Sequence, residues 1–278
     1  MTAALSPPRT LETSAGAGEV YDQGAQVTSW SPAGADPVLY VSTDLRLAAG
    51  RSIRAGVPVC WPWFGPGRAA GTEPLHGFVR TTMWDLVEQT QGAEEATVTY
   101  RLTSDAATSP HWAHRYTLEL RASVGRALEV SLTTTNTGDE GFDYEEALHA
   151  YLVVGDVHAA RIEGLDGKPF FDKVTGTERV QVGDLVFTGE TDAVFRTSDQ
   201  VTLHDPALGR RLVVSTLGAR NIVVWNPWDA KAKEVPDIGD DDWERFVCIE
   251  AANAFENAVA LAPGESHTTT YRLEVQPL

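Results

Sequence analysis

Tyr116-Thr117-Leu118-Glu119-Leu120-Arg121-Ala122-Ser123-Val124-Gly125-Arg126-Ala127-Leu128-Glu129-Val130-Ser131-Leu132 is the stretch from which the fold is read. Tyr116, Leu118 and Leu120 alternate with polar residues, Val124-Gly125-Arg126 makes a turn, and Leu128, Val130 and Leu132 resume the alternation. Side chains on a strand alternate between two faces, so this period of two predicts a hairpin. The same grammar predicts a second hairpin near the C-terminus, from Val259-Ala260-Leu261 through Pro263-Gly264-Glu265 and back along Thr268 to Val275. Thr97–Leu102, Leu212–Ser215 and Ile222–Trp225 are further β-rich runs. No segment sustains apolar residues at i, i+3, i+4 and i+7 over three turns, although Ala251–Ala258 has room for a short turn. Many strands punctuated by Gly, Pro, Asn and Asp predict an all-β chain, a large sandwich or barrel. No composition break or fixed-period repeat divides it, so a single domain over residues 1–278 is expected, with residues 1–17 a loosely ordered leader.

The composition narrows the partners. The chain has 278 residues, 39 acidic against 22 basic, for a formal net charge of −17. Phosphate-backbone binding needs clustered Lys and Arg, and no three basic residues are consecutive, so nucleic acid is excluded as the expected partner. A small anion is not excluded, because surface charges farther than about 8 Å are largely screened at physiological salt. No apolar run approaches the ~18 residues that span a bilayer, and the first twenty residues carry no secretory core. The cytoplasm is the expected compartment and a monomer the expected state. Two cysteines, Cys60 and Cys248, are too few for a disulfide framework or a four-thiolate zinc site and read as reduced thiols.

Four stretches depart from strand-and-turn grammar. In Ile53–Pro66 an arginine, Arg54, precedes a stiff loop with three prolines and three large aromatics. It reads either as a rigid core plug or as the wall of a site. In Leu75-His76-Gly77-Phe78-Val79-Arg80 a histidine and an arginine flank a glycine, a pattern suited to an anion beside a proton donor. In Tyr144–Val154, His149 lies in an apolar strand, on the face of Ala147 and Tyr151, where its imidazole needs a hydrogen-bond partner. In Phe246–Asn253, Glu250 ends an apolar run, where an unpaired carboxylate is expensive to bury. Such carboxyls have raised pKa values and serve in proton transfer, or else form structural ion pairs. Asp240-Asp241-Asp242 lacks the ligand alternation of a calcium loop and reads as a solvated turn.

With these residues in view, the chain resembles the glucose-6-phosphate 1-epimerase branch of the aldose 1-epimerase superfamily, from about Gly18 to Val275. The resemblance rests on Arg54–Gly65, His76–Arg80 and Ala147–Tyr151, then Gly164–Gly167 with Asp172-Lys173. It continues through Glu190-Thr191-Asp192, Trp225-Asn226-Pro227 and Glu250–Asn253. It implies an antiparallel β-supersandwich of the galactose mutarotase-like kind, and a cofactor-free, metal-free interconversion of hexose 6-phosphate anomers. It implies His149 as general acid and Glu250 as general base, with Arg54, His76, Arg80 and Asp192 contacting the sugar phosphate. Two positions depart from the pattern: Leu75 stands where some relatives carry a glutamine, and Arg54-Ala55-Gly56 replaces arginine-glycine-glycine. The chemistry is self-consistent, since ring opening removes a proton from the C1 hydroxyl while the ring oxygen gains one. His149 is expected to be held in its charged form by an acidic surrounding. A mutarotase of free aldoses and a non-catalytic carbohydrate-binding sandwich stand as alternatives.

Overall fold

The computed structural model describes residues 5–67, 73–104 and 112–278. Alternation at Tyr116–Leu132 becomes the antiparallel pair Tyr116–Val124 and Ala127–Asn136, with Val124 opposite Leu128 and Tyr116 opposite Asn136. This hairpin sits inside a nine-stranded sheet, flanked by Ala96–Thr103 on one side and Ser266–Pro277 on the other. A second sheet has eight strands, and the described residues also form a three-stranded and a two-stranded sheet. Leu118, Leu120, Leu132, Tyr271 and Leu273 from the nine-stranded sheet share one buried core with Leu148, Leu152, Ile222, Val224 and Ile249 from the eight-stranded sheet. Burial of such side chains at roughly 1.5–3 kcal/mol each is what holds the two layers face to face.

Two sequence expectations are corrected. Val259–Leu261 does not pair with the C-terminal strand across its turn; it pairs with Phe142–Tyr144. Ser266–Pro277 is already bonded on both edges, to Ala127–Asn136 and to Arg210–Leu217, so no ladder is open to the preceding segment. The N-terminal stretch is not loosely ordered from residue 5 to 17. Arg9–Glu12 pairs with Gly16–Tyr21, and Leu11 is fully buried. Of Ala251–Ala258, where a short turn had room, the first three residues continue the strand Phe246–Asn253 and Phe255–Asn257 form a 3₁₀ turn, while the helix Trp228–Ala232 has only five residues.

The eight-stranded sheet positions the site. Thr191–Phe195, Asn221–Asn226 and Phe246–Asn253 are consecutive antiparallel neighbours, and Phe246–Asn253 then pairs with both Glu146–Leu148 and Tyr151–Val153. Alternation splits each strand: Ile222, Val224, Ile249 and Leu148 face the core. On the other face Cys60, Ala147, Val194, Val223 and Ala252 join Phe64 in a separate small apolar cluster. That cluster is the floor on which the polar residues stand.

Candidate active site

Strand register alone brings the two proposed proton carriers together. Leu148 pairs with Ala251 and Tyr151 with Cys248, so the interruption at residues 149–150 sets His149 against Glu250. His149 Nε2 lies 3.3 Å from Glu250 Oε1. The break is anchored by backbone bonds from His149 N to Pro58 O and from Ile249 N to Ala150 O. His149 stacks on Tyr151 at 4.8 Å, which places both on one face as the alternation predicts. In the next rung Asp192 opposes Trp225, and Trp225 opposes Cys248.

A cavity of about 260 Å³ opens over this face, and Arg54, His76, Arg80, His149, Asp192 and Glu250 all line it. The Ile53–Pro66 loop serves both of its readings. Trp61 and Trp63 are buried in the main core, while Arg54, Phe64, Gly65 and Pro66 form cavity wall. Arg54 is pre-positioned: Nη1 donates to Tyr151 Oη at 2.7 Å and Nη2 to Asp237 Oδ1 at 2.9 Å. Arg80 Nη2 donates to the Leu75 carbonyl at 2.5 Å.

His76 sits in a strained loop. Its φ is +64°, in the left-handed region that disfavours side chains, and Gly77 follows at +74°. A Cβ on Gly77 would lie 1.8 Å from Trp61 O, so only glycine lets this loop pass against the first one. Strain of this kind collects at functional sites. The Gly65 N–H donates to His76 Nδ1 at 3.3 Å, and Cys60 Sγ lies 3.4 Å from the same atom. With Nδ1 occupied as an acceptor, neutral His76 carries its proton on Nε2.

The electrostatics reverse one expectation. Burial, then the positive charges of Arg54, Arg80 and Lys173, push His149 well below the usual imidazole range, so it is neutral in the free protein. His149 shares the cavity lining with Arg54, Arg80, Lys173 and Lys231 as well as with the acidic Glu250 and Asp192. Glu250 moves the opposite way: burial first, and Asp192 second, raise it well above the usual carboxylate range. It is 1% exposed. Among the described residues, neither Glu250 Oε2 nor His149 Nδ1 has a hydrogen-bond partner. Burial likewise depresses His76 and lifts the Cys60 thiol to about 12, which keeps that thiol protonated. An imidazole and a carboxyl in contact, each pushed towards its neutral form, can exchange protons with two oxygens of one small molecule.

Lys173, Tyr151, Phe64, Trp225 and Lys231 also line the cavity and were not singled out as site residues from sequence. Lys173 Nζ lies 2.8 Å from Asp192 Oδ2. The Asp172-Lys173 motif was the available signal; its ion pair required knowing that Pro169–Asp172 and Thr191–Phe195 are neighbours. The acidic turn also needs correction. Asp240 and Asp241 are exposed, but Asp242 is buried and accepts hydrogen bonds from Tyr40 Oη and, at 2.9 Å, from Thr43 N. Cys60 and Cys248 are both buried free thiols. Among the described residues no group of three or more His, Cys, Asp or Glu is placed to hold a metal ion, and no helix is long and apolar enough to cross a membrane.

Known proteins resemble this chain over nearly its whole length. The model of the aldose 1-epimerase family matches residues 10–274. A "putative glucose-6-phosphate 1-epimerase" from Escherichia coli K12 is 37% identical over 237 residues, covering 84% of this chain and 79% of the relative. One of the same description from Cenchrus ciliaris is 32% identical over 271 residues, covering 93% and 81%. The crystal structure of "a putative mutarotase (YeaD)" from Salmonella typhimurium superposes with a TM-score of 0.91 at 31% identity, over 100% of this chain and 95% of that one. The fold is therefore the galactose mutarotase-like β-sandwich. A match across nearly the whole chain, with these identities, shows that the protein belongs to the aldose 1-epimerase family.

Proposed function

We propose that the chain interconverts the α and β anomers of a hexose 6-phosphate, with glucose 6-phosphate as the sugar to which its relatives' names point. The observation that carries this reading is the His149–Glu250 contact of 3.3 Å in a cavity that four cationic side chains, Arg54, Arg80, Lys173 and Lys231, help to line. Four cations against the two acidic groups Asp192 and Glu250 leave the lining with a local excess of positive charge, which favours an anionic ligand. Guanidinium groups bind phosphate oxygens bidentately, which a neutral aldose does not exploit.

In the proposed reaction Glu250 takes the proton of the C1 hydroxyl and His149 donates one to the ring oxygen. The C1–O5 bond breaks, the open aldehyde rotates about C1–C2, and reclosure returns both protons. Each transfer contributes roughly 10²–10⁴-fold. The neutral pair of the free protein must become imidazolium and carboxylate. Burial first, and the arginines second, hold His149 deprotonated, and the phosphate's negative charge offsets the second of these and so favours the imidazolium. On this reading the phosphate raises turnover as well as affinity. The reading also carries a single-domain, monomeric, cytoplasmic enzyme whose partner is a small sugar phosphate rather than nucleic acid.

The test compares anomerisation of glucose 6-phosphate with that of glucose and galactose in wild type and Arg80→Ala. The phosphorylated sugar is expected to show the higher kcat/KM. Arg80→Ala should raise KM for it by roughly 10-fold or more, as for loss of a charge-assisted bond worth about 1.5–3 kcal/mol, while changing KM for free sugar little. Equal effects on both substrates would remove the phosphate role from Arg80.

A further inference from the structure

We propose that Lys173 is a positioning residue for this reaction: its ammonium holds the Asp192 carboxylate in place as an anion and keeps that carboxylate from competing with Glu250 for a proton. The inference rests on the anomerase reading above. Lys173 is fixed from three sides. Its backbone N–H donates to Asp192 O at 2.8 Å, its Nζ lies 2.8 Å from Asp192 Oδ2, and the same Nζ sits 5.2 Å from the centroid of the Phe64 ring. The preceding Asp172 accepts from Val174 N at 3.0 Å and Thr175 N at 3.3 Å, which pins the turn that delivers Lys173 to the cavity.

The need for such a group follows from the sheet. Asp192 and Glu250 stand on strands separated only by Asn221–Asn226, with Asp192 opposite Trp225 and Glu250 opposite Val223. Both line the same cavity, over a floor of apolar side chains. Two carboxylates in such a site cannot both ionise unless a cation lies with them. Glu250 has His149 at 3.3 Å, and the groups that couple to it electrostatically are the uncharged Cys60, Cys248, Tyr151 and Tyr271 and the charged Asp192 and Lys173. Asp172 adds a further negative charge beside Asp192. Burial raises Asp192, like Glu250, above the usual carboxylate range, and Lys173 is the cation that pulls both back down.

The test is the pH dependence of kcat/KM for glucose 6-phosphate. His149 and Glu250 share one proton in the working pair, so activity rises with pH along an acid limb as a second proton leaves that pair. Lys173→Met should move that limb up by about one pH unit. Lys173→Arg should leave it in place. Asp192→Asn should move it down, since Lys173 is then unbalanced, and the double variant Lys173→Met/Asp192→Asn should return it close to the wild-type position. A limb unmoved in Lys173→Met overturns the proposal, as does a double variant as displaced as Lys173→Met. Should Lys173→Met fail to fold by circular dichroism, Asp192→Asn decides alone, and a limb that does not fall overturns the proposal. Wild type without activity on glucose 6-phosphate would instead sink the anomerase reading, so the two failures are separable.

Discussion

Glu250→Gln is expected to lower kcat for glucose 6-phosphate anomerisation by roughly 10²–10⁴-fold and to leave the fold intact. An amide has the shape of the carboxyl but cannot accept the C1 proton. The same substitution should stabilise the protein, and more so at higher pH. Burial raises Glu250 above its unfolded value, so the folded state holds this proton more tightly than the unfolded state does. Stability from that proton is fully present below the unfolded pKa and is lost as pH rises towards the folded one, at about 1.4 kcal/mol per pH unit. Glutamine has no such loss, and Glu250 Oε2 has no hydrogen-bond partner among the described residues that the change would break. Thermal unfolding of both proteins at pH 5 and pH 8 reads this directly. Near-equal melting temperatures at pH 5 and a higher one for the variant at pH 8 are expected. Unchanged turnover would take Glu250 out of the mechanism.

His149→Asn should produce a loss of the same order, because the ring oxygen then has no acid beside it. The double variant Glu250→Gln/His149→Asn should be little slower than either single one. Groups that act on one proton path fail as a unit, so their effects do not multiply. Multiplying losses would mean that the two side chains work in separate steps. The nitrogen chemical shifts of His149 add a check on charge. They should report a neutral imidazole at pH 6 in the free protein, as burial and the cations Arg54, Arg80 and Lys173 require. Saturation with glucose 6-phosphate should move them towards imidazolium. A charged ring before substrate binds would restore the expectation of an acidic surrounding that holds His149 charged.

What was legible in the sequence was whatever is local. Alternation at Tyr116–Leu132 fixes a hairpin because side-chain direction is a property of adjacent residues, and the pairing follows it residue for residue. The same rule places His149 with Tyr151 on one face, and the rings stack there. What was illegible is set by register between distant strands. Nothing near Asp237 announces that it holds Arg54, and nothing near Asp192 announces Lys173. The C-terminal hairpin misread has the same origin, since both edges of Ser266–Pro277 were already taken by strands far away in sequence. The charge of His149 failed for a different reason. Burial comes first in lowering it and the positive charges of Arg54, Arg80 and Lys173 second, and neither can be read from the residues next to His149 in sequence. The motif-based resemblance succeeded because it carried the long-range register that periodicity cannot.

The central claim is that His149 and Glu250 move protons on a phosphorylated hexose bound among these cations. Magnetisation-transfer NMR on glucose 6-phosphate measures it most directly, since saturating one anomeric proton reveals its exchange with the other. Catalytic amounts of wild-type protein should transfer saturation between the anomers well above the uncatalysed control, and Glu250→Gln at the same concentration should not. Exchange no faster than the control with the folded wild-type protein, or equal exchange with Glu250→Gln, would contradict the account.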